Sequence, residues 1–452
     1  MMLYDRNRIL VESIRRLLRR KAMSHLKKIV NKTHAADLAF VFPSLTFPDQ
    51  RLLFDLIEDF ETKGAIFSYF GEDDFRTFIN EMPLEEIVNI LEHMPTDDVA
   101  DLIGVLPQET ADAILDKMKT EGSQEVQDLL KYEDDTAGGI MTPDFIVFKE
   151  NITAGEAIAS LQKKEHMDVE MPFYLYIVDD ADRLVGVSSL RQLVVVPSET
   201  PLKNFMTTQV ISVRTDTDQE EVAKIVARYD ILAVPVVDEF NQLLGIVTVD
   251  DVIDIFREEA TEDILRMAGA GEEFVETQTV LRSTRIRLPW LFASCIGGIV
   301  AFFIIGRFEA SLNKFAYLAA FIPVIMGMGG NIGTQSSTIV VRGLATGRIA
   351  TRNFWSVVLK ELSIGLILGL VYGMLIGTVA EIRFSSIALA ISVALAVLSS
   401  MSVAALVGSL VPLVFAKAKI DPAVATGPFV TTSIDIISVY CYFAIATALL
   451  GL

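Results

Sequence analysis

Gly427-Pro-Phe-Val-Thr431-Thr-Ser-Ile-Asp435-Ile-Ile lies inside the last hydrophobic run of the chain, residues 423–450, and its reading decides the fold. A carboxylate about a dozen residues from either end of such a run sits at mid-depth of a bilayer, where it costs roughly 2.5–3.5 kcal/mol. Residues that bear this cost face a water-filled path or an interior partner. The run therefore reads as a membrane span, and Asp435, beside Thr431, Thr432 and Ser433, reads first as a cation site. Glu309, Glu361, Glu381 and Asp421 fall near the ends of hydrophobic runs instead.

Working outward, a helix needs about 20 apolar residues to cross the hydrocarbon core. Five stretches meet this: 288–308, 317–341, 354–380, 386–416 and 423–450. Arg282, Arg285, Arg287, Arg342, Arg348, Arg352, Lys417 and Lys419 fall on one side of them, Arg307, Lys314 and Arg383 on the other. The positive-inside rule makes the first side cytoplasmic. A multi-pass protein of the plasma membrane is expected, with its N-terminal half in the cytosol and its C-terminus outside.

The second stretch holds Pro323-Val-Ile-Met-Gly-Met-Gly-Gly-Asn331-Ile-Gly-Thr-Gln335. Its glycines permit either close helix contact or an opened backbone, and open backbone at membrane depth must line a cavity or be buried in protein. The amides of Asn331 and Gln335 favour a pore wall. Gly427-Pro428 frees a further carbonyl in the fifth stretch. The expected lining is Gly327, Gly330, Asn331, Gln335, Gly427 and Asp435.

The 452 residues carry a net charge of -20, unevenly spread. Residues 284–452 hold 11 Lys/Arg against 5 Asp/Glu, and residues 1–283 hold 28 against 54. An acidic soluble half argues against nucleic acid as a partner and favours cations. Cys295 and Cys441 lie in apolar runs, so no disulfide framework is expected, and His25, His34, His93 and His166 lack ligand spacing. No signal peptide pattern opens the sequence. The candidate lining offers only oxygen donors, which suit Mg²⁺, Ca²⁺ or Mn²⁺ rather than Zn²⁺ or Cu⁺. Few carboxylates per site suit Mg²⁺, which keeps several waters. Five helices with one Asp make a thin pore, whereas a two-fold dimer brings two Asp435 side chains to one axis.

The soluble half contains a repeat over 138–257. Met141-Thr142-Pro143 and Met206-Thr207 open its copies, each copy carries a strand through Gly186 or Gly245, and a helix closes each. This pattern resembles a tandem pair of cystathionine-β-synthase (CBS) domains. The resemblance implies a nucleotide site using Arg191, Thr248 and Asp251, but the first copy has Gln192 where an Asp would stand. Upstream, Met82-Pro83, Met94-Pro95 and Leu106-Pro107 recur every 12 residues, each before an acidic first turn, and read as stacked short helices. The first 30 residues are basic and fit a docked surface helix or contact with anionic lipid. At the junction, Asp251, Asp254, Glu258 and Glu262 fall on one helix face, where like charges repel unless a cation offsets them.

The order of these parts resembles the MgtE family of magnesium channels, most specifically in residues 323–335, Arg214-Thr-Asp-Thr-Asp-Gln-Glu-Glu221, the acidic linker and residues 428–435. The resemblance implies a multidomain fold. An acidic all-α helical domain (1–135) precedes two α/β CBS motifs (136–200 and 201–257), an acidic linker or plug helix (258–284) and a five-helix pore domain (285–452). It also implies a homodimer in a lipid bilayer, hydrated Mg²⁺ at Asp435, and regulatory Mg²⁺ at Asp97, Asp101, Glu220, Asp230, Asp251, Asp254, Glu259, Glu262 and Asp263. ATP is a further regulator in that scheme. The rival readings are an ion-coupled secondary transporter of divalent cations and a membrane-anchored nucleotide sensor. No P-loop, nucleophile elbow or metal-hydrolase motif points to an enzyme.

Overall fold

The computed structural model describes residues 2–163, 171–269, 280–349, 354–425 and 427–451. Residues 270–279 of the expected linker, with Lys164, His166 and Arg352, lie outside them. The chain forms two units, residues 1–257 and 258–452.

In the first unit the 12-residue beat becomes the helices Leu84–Leu91, Thr96–Gly104 and Gln108–Leu115. Pro83, Pro95 and Pro107 are their N-cap residues with extended backbone, one step before the first turn. Each proline carbonyl accepts a helical N–H, from Ile87, Val99 and Ala111. The proline therefore starts a helix without wasting a donor. Phenylalanines fill the interior between the preceding helices: Phe54 stacks on Phe67 at 4.9 Å, and Phe78 packs edge-on to Phe54 at 5.4 Å. Lys63, 6% exposed, lies over the Phe54 ring and reaches Glu86 at 2.8 Å.

The repeat folds into two matching three-stranded sheets. Val147–Lys149, Tyr174–Val178 and Leu184–Ser189 form one; Val213–Arg214, Ala233–Val237 and Leu243–Thr248 form the other. In each, the first pairing is parallel and the second antiparallel. The copies are interlocked. Thr142, at the start of the first copy, bridges to Ile246 of the second, and Thr207, at the start of the second, bridges to Val187 of the first. The signature methionines follow the same exchange: a Cβ on Gly186 would strike Met206, and one on Gly245 would strike Met141. Glycine is needed at both positions because the other copy's sulfur fills its side-chain space.

The helix closing the second copy does not end at 257. It runs unbroken over Val249–Met267, because no Gly or Pro interrupts it and Thr248 with Asp251 caps its start. Residues 258–267 of the expected linker continue this helix.

Among the described residues of the second unit, five helices are long and apolar enough to cross a membrane: Val280–Arg307, Ala316–Ala345, Phe354–Phe384, Ile387–Lys417 and Pro428–Leu450. The first starts ahead of its apolar run. The fifth starts at Pro428, after a short turn at Ala423–Ala425, because Pro428 supplies a preset first turn. Gly365, Gly369, Gly373 and Gly377 form a stripe at four-residue spacing on the third span. A Cβ at Gly373 would lie 2.6 Å from the Ala394 carbonyl, so the fourth span packs there backbone to backbone.

Candidate ion path and its acidic control sites

The second span has two faces. Gly329, Ile332, Gly333, Ser336 and Ser337 are buried. Gly329 receives Ser400 of the fourth span and Ser438 of the fifth, whose hydroxyls share a 2.7 Å hydrogen bond. Gly333 receives Ile434, and Gly408 of the fourth span meets the Gly333 carbonyl. These contacts lock three spans around the residue preceding Asp435. Gly327, Asn331, Thr334 and Gln335 are exposed on the opposite face, and a Cβ at Gly327 or Gly330 would meet nothing within 4 Å. Both uses of glycine therefore occur on one helix, on different faces.

Asp435 is half-buried beside Ile434. Among the described residues its carboxylate forms no hydrogen bond or ion pair. Glu361 is more enclosed, at 4% exposure, and accepts the Ser336 hydroxyl at 2.8 Å. Its position seven residues into the third span gave no sign of this, since the enclosure comes from neighbouring spans.

Gly427 precedes the fifth span as its N-cap, with the Met267 carbonyl 3.4 Å from the place of a Cβ. The end of the linker helix thus lies against the start of this span. Arg266 joins them: it pairs with Glu262 on its own helix and with Asp421 at 2.5 Å. The other Asp421 oxygen accepts the Ala423 N–H at 2.8 Å. Sequence reasoning missed Arg266, although its place four residues after Glu262 marks an ion pair.

In the first unit, acidic groups converge where the helical domain meets the second CBS copy. Asp97 is buried. Asp98, which sequence reasoning passed over, accepts the Ser68 hydroxyl at 2.8 Å. Burial, with some repulsion from Asp250, pushes its carboxyl above the usual range. Asp251 accepts the Thr248 hydroxyl at 2.5 Å. Burial pushes Asp251 up to about 6; the Thr248 hydrogen bonds oppose this, and the Asp250 and Asp98 charges add to it. Carboxyls raised in the fold hold protons that the unfolded chain releases, so stability is present below the unfolded pKa and falls as pH rises through about 4–6. Thermal unfolding in Mg²⁺-free buffer should show a higher midpoint at about pH 5 than at pH 7.5, and Asp251→Asn should flatten the difference.

The other expected metal residues are dispersed. Glu220 pairs with Lys224 at 2.7 Å, while Asp230 caps the far end of the same helix in the left-handed region. Ten residues of helix put about 15 Å between them, too far to share an ion within one protomer. Asp254 is exposed and pairs with Arg257 at 3.0 Å, and Asp101, Glu259 and Asp263 stand on the helical domain and the linker helix. Among the described residues no three Asp, Glu, His or Cys side chains gather as a ready metal cluster.

The departure at Gln192 has a structural explanation. Gln192 closes a capping box with Ser189 at the helix following the first sheet, as Asp251 caps with Thr248 after the second. Both satisfy orphan backbone donors. Arg191 is exposed beside it.

Two interlocked α/β copies, a helical domain and, among the described residues, five helices long and apolar enough to cross a membrane define a polytopic membrane protein with a large soluble unit. Comparison narrows this. A family model described as the MgtE intracellular N domain matches residues 33–135, CBS domain models match 137–201 and 202–258, and a divalent cation transporter model, MgtE, matches 322–445. The magnesium transporter MgtE of Enterococcus faecalis is 41% identical over 323 residues, 72% of this chain and 71% of that one. That of Thermus thermophilus is 39% identical over 331 residues, 72% of each. The chain belongs to the MgtE family. The first unit resembles the crystal structure of the cytosolic domain of the Mg²⁺ channel MgtE in complex with ATP (TM-score 0.52, 33% identity, 54% of this chain and 99% of that one). A second similar structure is the soluble part of a magnesium transporter (TM-score 0.50, 33% identity, 56% and 99%).

Proposed function

We propose that this chain is a homodimeric Mg²⁺ channel for uptake across the plasma membrane, with its ion site at Asp435 and its gate set by intracellular Mg²⁺. The observation that carries the reading is Asp435 itself, a carboxylate inside a span with no basic or donor group to offset it among the described residues. The exposed Gly327–Gln335 face supplies the rest of the path, and the second copy of the chain closes it. Five spans put the termini on opposite sides, with the acidic unit cytosolic and the C-terminus outside.

Closure is driven by charge. Mg²⁺ binding near Asp97, Asp101 and Asp251, and along Asp254, Glu259, Glu262 and Asp263, offsets repulsion and holds the linker helix against Gly427. Glu220 and Asp230 serve contacts to other domains or to the second copy. Arg266 does the same work at Asp421 and Glu262 as a resident cation. Several weak coupled sites bias a two-state element more steeply than one. ATP acts as a regulator at the CBS pair, through Arg191, Thr248 and Asp251, as the ATP-bound cytosolic domain of a relative supports.

The test is Mg²⁺ flux into proteoliposomes down its own gradient, with no proton or sodium gradient. Flux that falls as Mg²⁺ rises on the side of the soluble unit is expected. A requirement for a counter-gradient would replace the channel by a coupled transporter.

A further inference from the structure

The strongest charge contrast in the chain is unrelated to the ion path. Residues 1–32 carry 10 Lys/Arg against 2 Asp/Glu, while residues 33–283 carry 18 against 52. The basic residues stand on two helices, Met2–Arg19 and Met23–Val30, joined by a tight turn with Lys21 in the left-handed region. Ile14, Leu18, Leu26 and Val30 are buried in the domain core, with Leu10, Val11 and Leu17 packed beside them. Most of the apolar side chains described on the two helices are thus consumed by the fold, with Ile9 left exposed, so the outer face from Arg8 to Lys32 offers mainly charge.

Part of that charge is already used. Arg8 pairs with Glu12, Arg15 donates to the Ser44 carbonyl, and Lys27 pairs with Glu58. Arg16, Arg19, Arg20, Lys21, Lys28 and Lys32 are exposed. Among the described residues they form no ion pair. Arg16, Arg19 and Arg20 share one helix face at i, i+3, i+4 spacing.

We infer that this hairpin is a docking surface for anionic phospholipid headgroups of the bilayer that the chain's own spans cross. An exposed Lys/Arg is worth about 1 kcal/mol near an anionic leaflet, so a cluster of this size suffices for electrostatic binding when it meets one. The spans tether the hairpin to that bilayer, so a weak contact acts at high effective concentration. Arg282, Arg285, Arg342 and Lys417, at the ends of their helices, give these span ends a cytoplasmic orientation, and the cytoplasmic leaflet is the anionic one. A free nucleic acid has no such tether and must approach a strongly acidic remainder. With its core-facing apolar residues already buried, the contact is carried mainly by charge and is salt-sensitive, unlike an inserted amphipathic helix. The inference rests on the span reading and is independent of which ion is carried.

The test uses the full chain with Cys295 and Cys441 replaced by alanine and a fluorophore on Ser24→Cys, in nanodiscs bearing a headgroup acceptor. Discs are phosphatidylcholine alone or mixed with phosphatidylglycerol. Energy transfer should rise in the anionic discs, fall with salt, and be lost in R16E/R19E/R20E. Each charge removed should weaken the contact about fivefold. A matching melting curve shows that the exposed reversals leave the fold intact; K28Q/K32Q, expected to give a partial loss, is the milder second variant. Equal transfer in both discs would overturn the inference. So would undiminished transfer in both variants, or a lipid-independent change that marks a protein partner or second copy.

Discussion

Asp435→Ala is expected to abolish Mg²⁺ flux while leaving the protein as stable as the wild type, or more so. The two effects have separate physical origins. An unpaired carboxylate at membrane depth costs the fold roughly 2.5–3.5 kcal/mol, and alanine relieves that cost. The same charge is what a partly dehydrated Mg²⁺ requires, because amides and hydroxyls alone do not offset a divalent ion in a low dielectric. The measurement pairs proteoliposome flux with thermal melting in detergent. Lost flux with an unchanged or raised midpoint fits an ion site. Lost flux with a lowered midpoint would make Asp435 a structural residue, and unchanged flux would place the path elsewhere. Asp435→Asn should also fail to conduct, since it keeps the shape and removes the charge.

Gly408→Val is expected to have the largest effect on assembly of the membrane unit. A Cβ at Gly408 would lie 2.4 Å from the Gly333 carbonyl, and both sides of that contact are backbone. No rotamer change relieves it, so the second and fourth spans must separate. Overpacking in a filled core costs about 1–3 kcal/mol, and a backbone clash belongs at or above the top of that range. The displaced second span carries Asn331 and Gln335, so flux should fall together with the melting midpoint. Gly298→Val is the control: a Cβ there meets nothing within 4 Å, and the substitution should be close to neutral. A neutral Gly408→Val would show that the two spans are not in contact in the bilayer.

The helical beat of the first unit was legible because proline carries its own backbone geometry: Pro83, Pro95 and Pro107 mark helix starts wherever the chain places them. The CBS pair was legible because Met141, Met206, Gly186 and Gly245 recur at near-constant separations, although nothing in that spacing said that each methionine fills the other copy's glycine. The five spans follow from apolar run length alone, which the bilayer thickness fixes. That one helix runs from Val249 to Met267 across the boundary expected at 257 was not legible, since no Gly or Pro or other local signal marks the passage either way.

The sequence by itself determined which segments are long and apolar enough to cross a membrane, where charge concentrates, and that Asp435 stands in the middle of the last of those segments. Those are properties of local composition and distance along the chain. Only the tertiary structure decided which glycines of the second span pack and which stay open, because facing depends on what the fourth and fifth spans present. It decided that Glu361 is more enclosed than Asp435 and tied to Ser336, and that Arg266 reaches Asp421 155 residues away. It also raised Asp251 through burial beside Asp98 and Asp250. Burial and long-range pairing are set by neighbours distant in sequence, so no reading of a single stretch contains them.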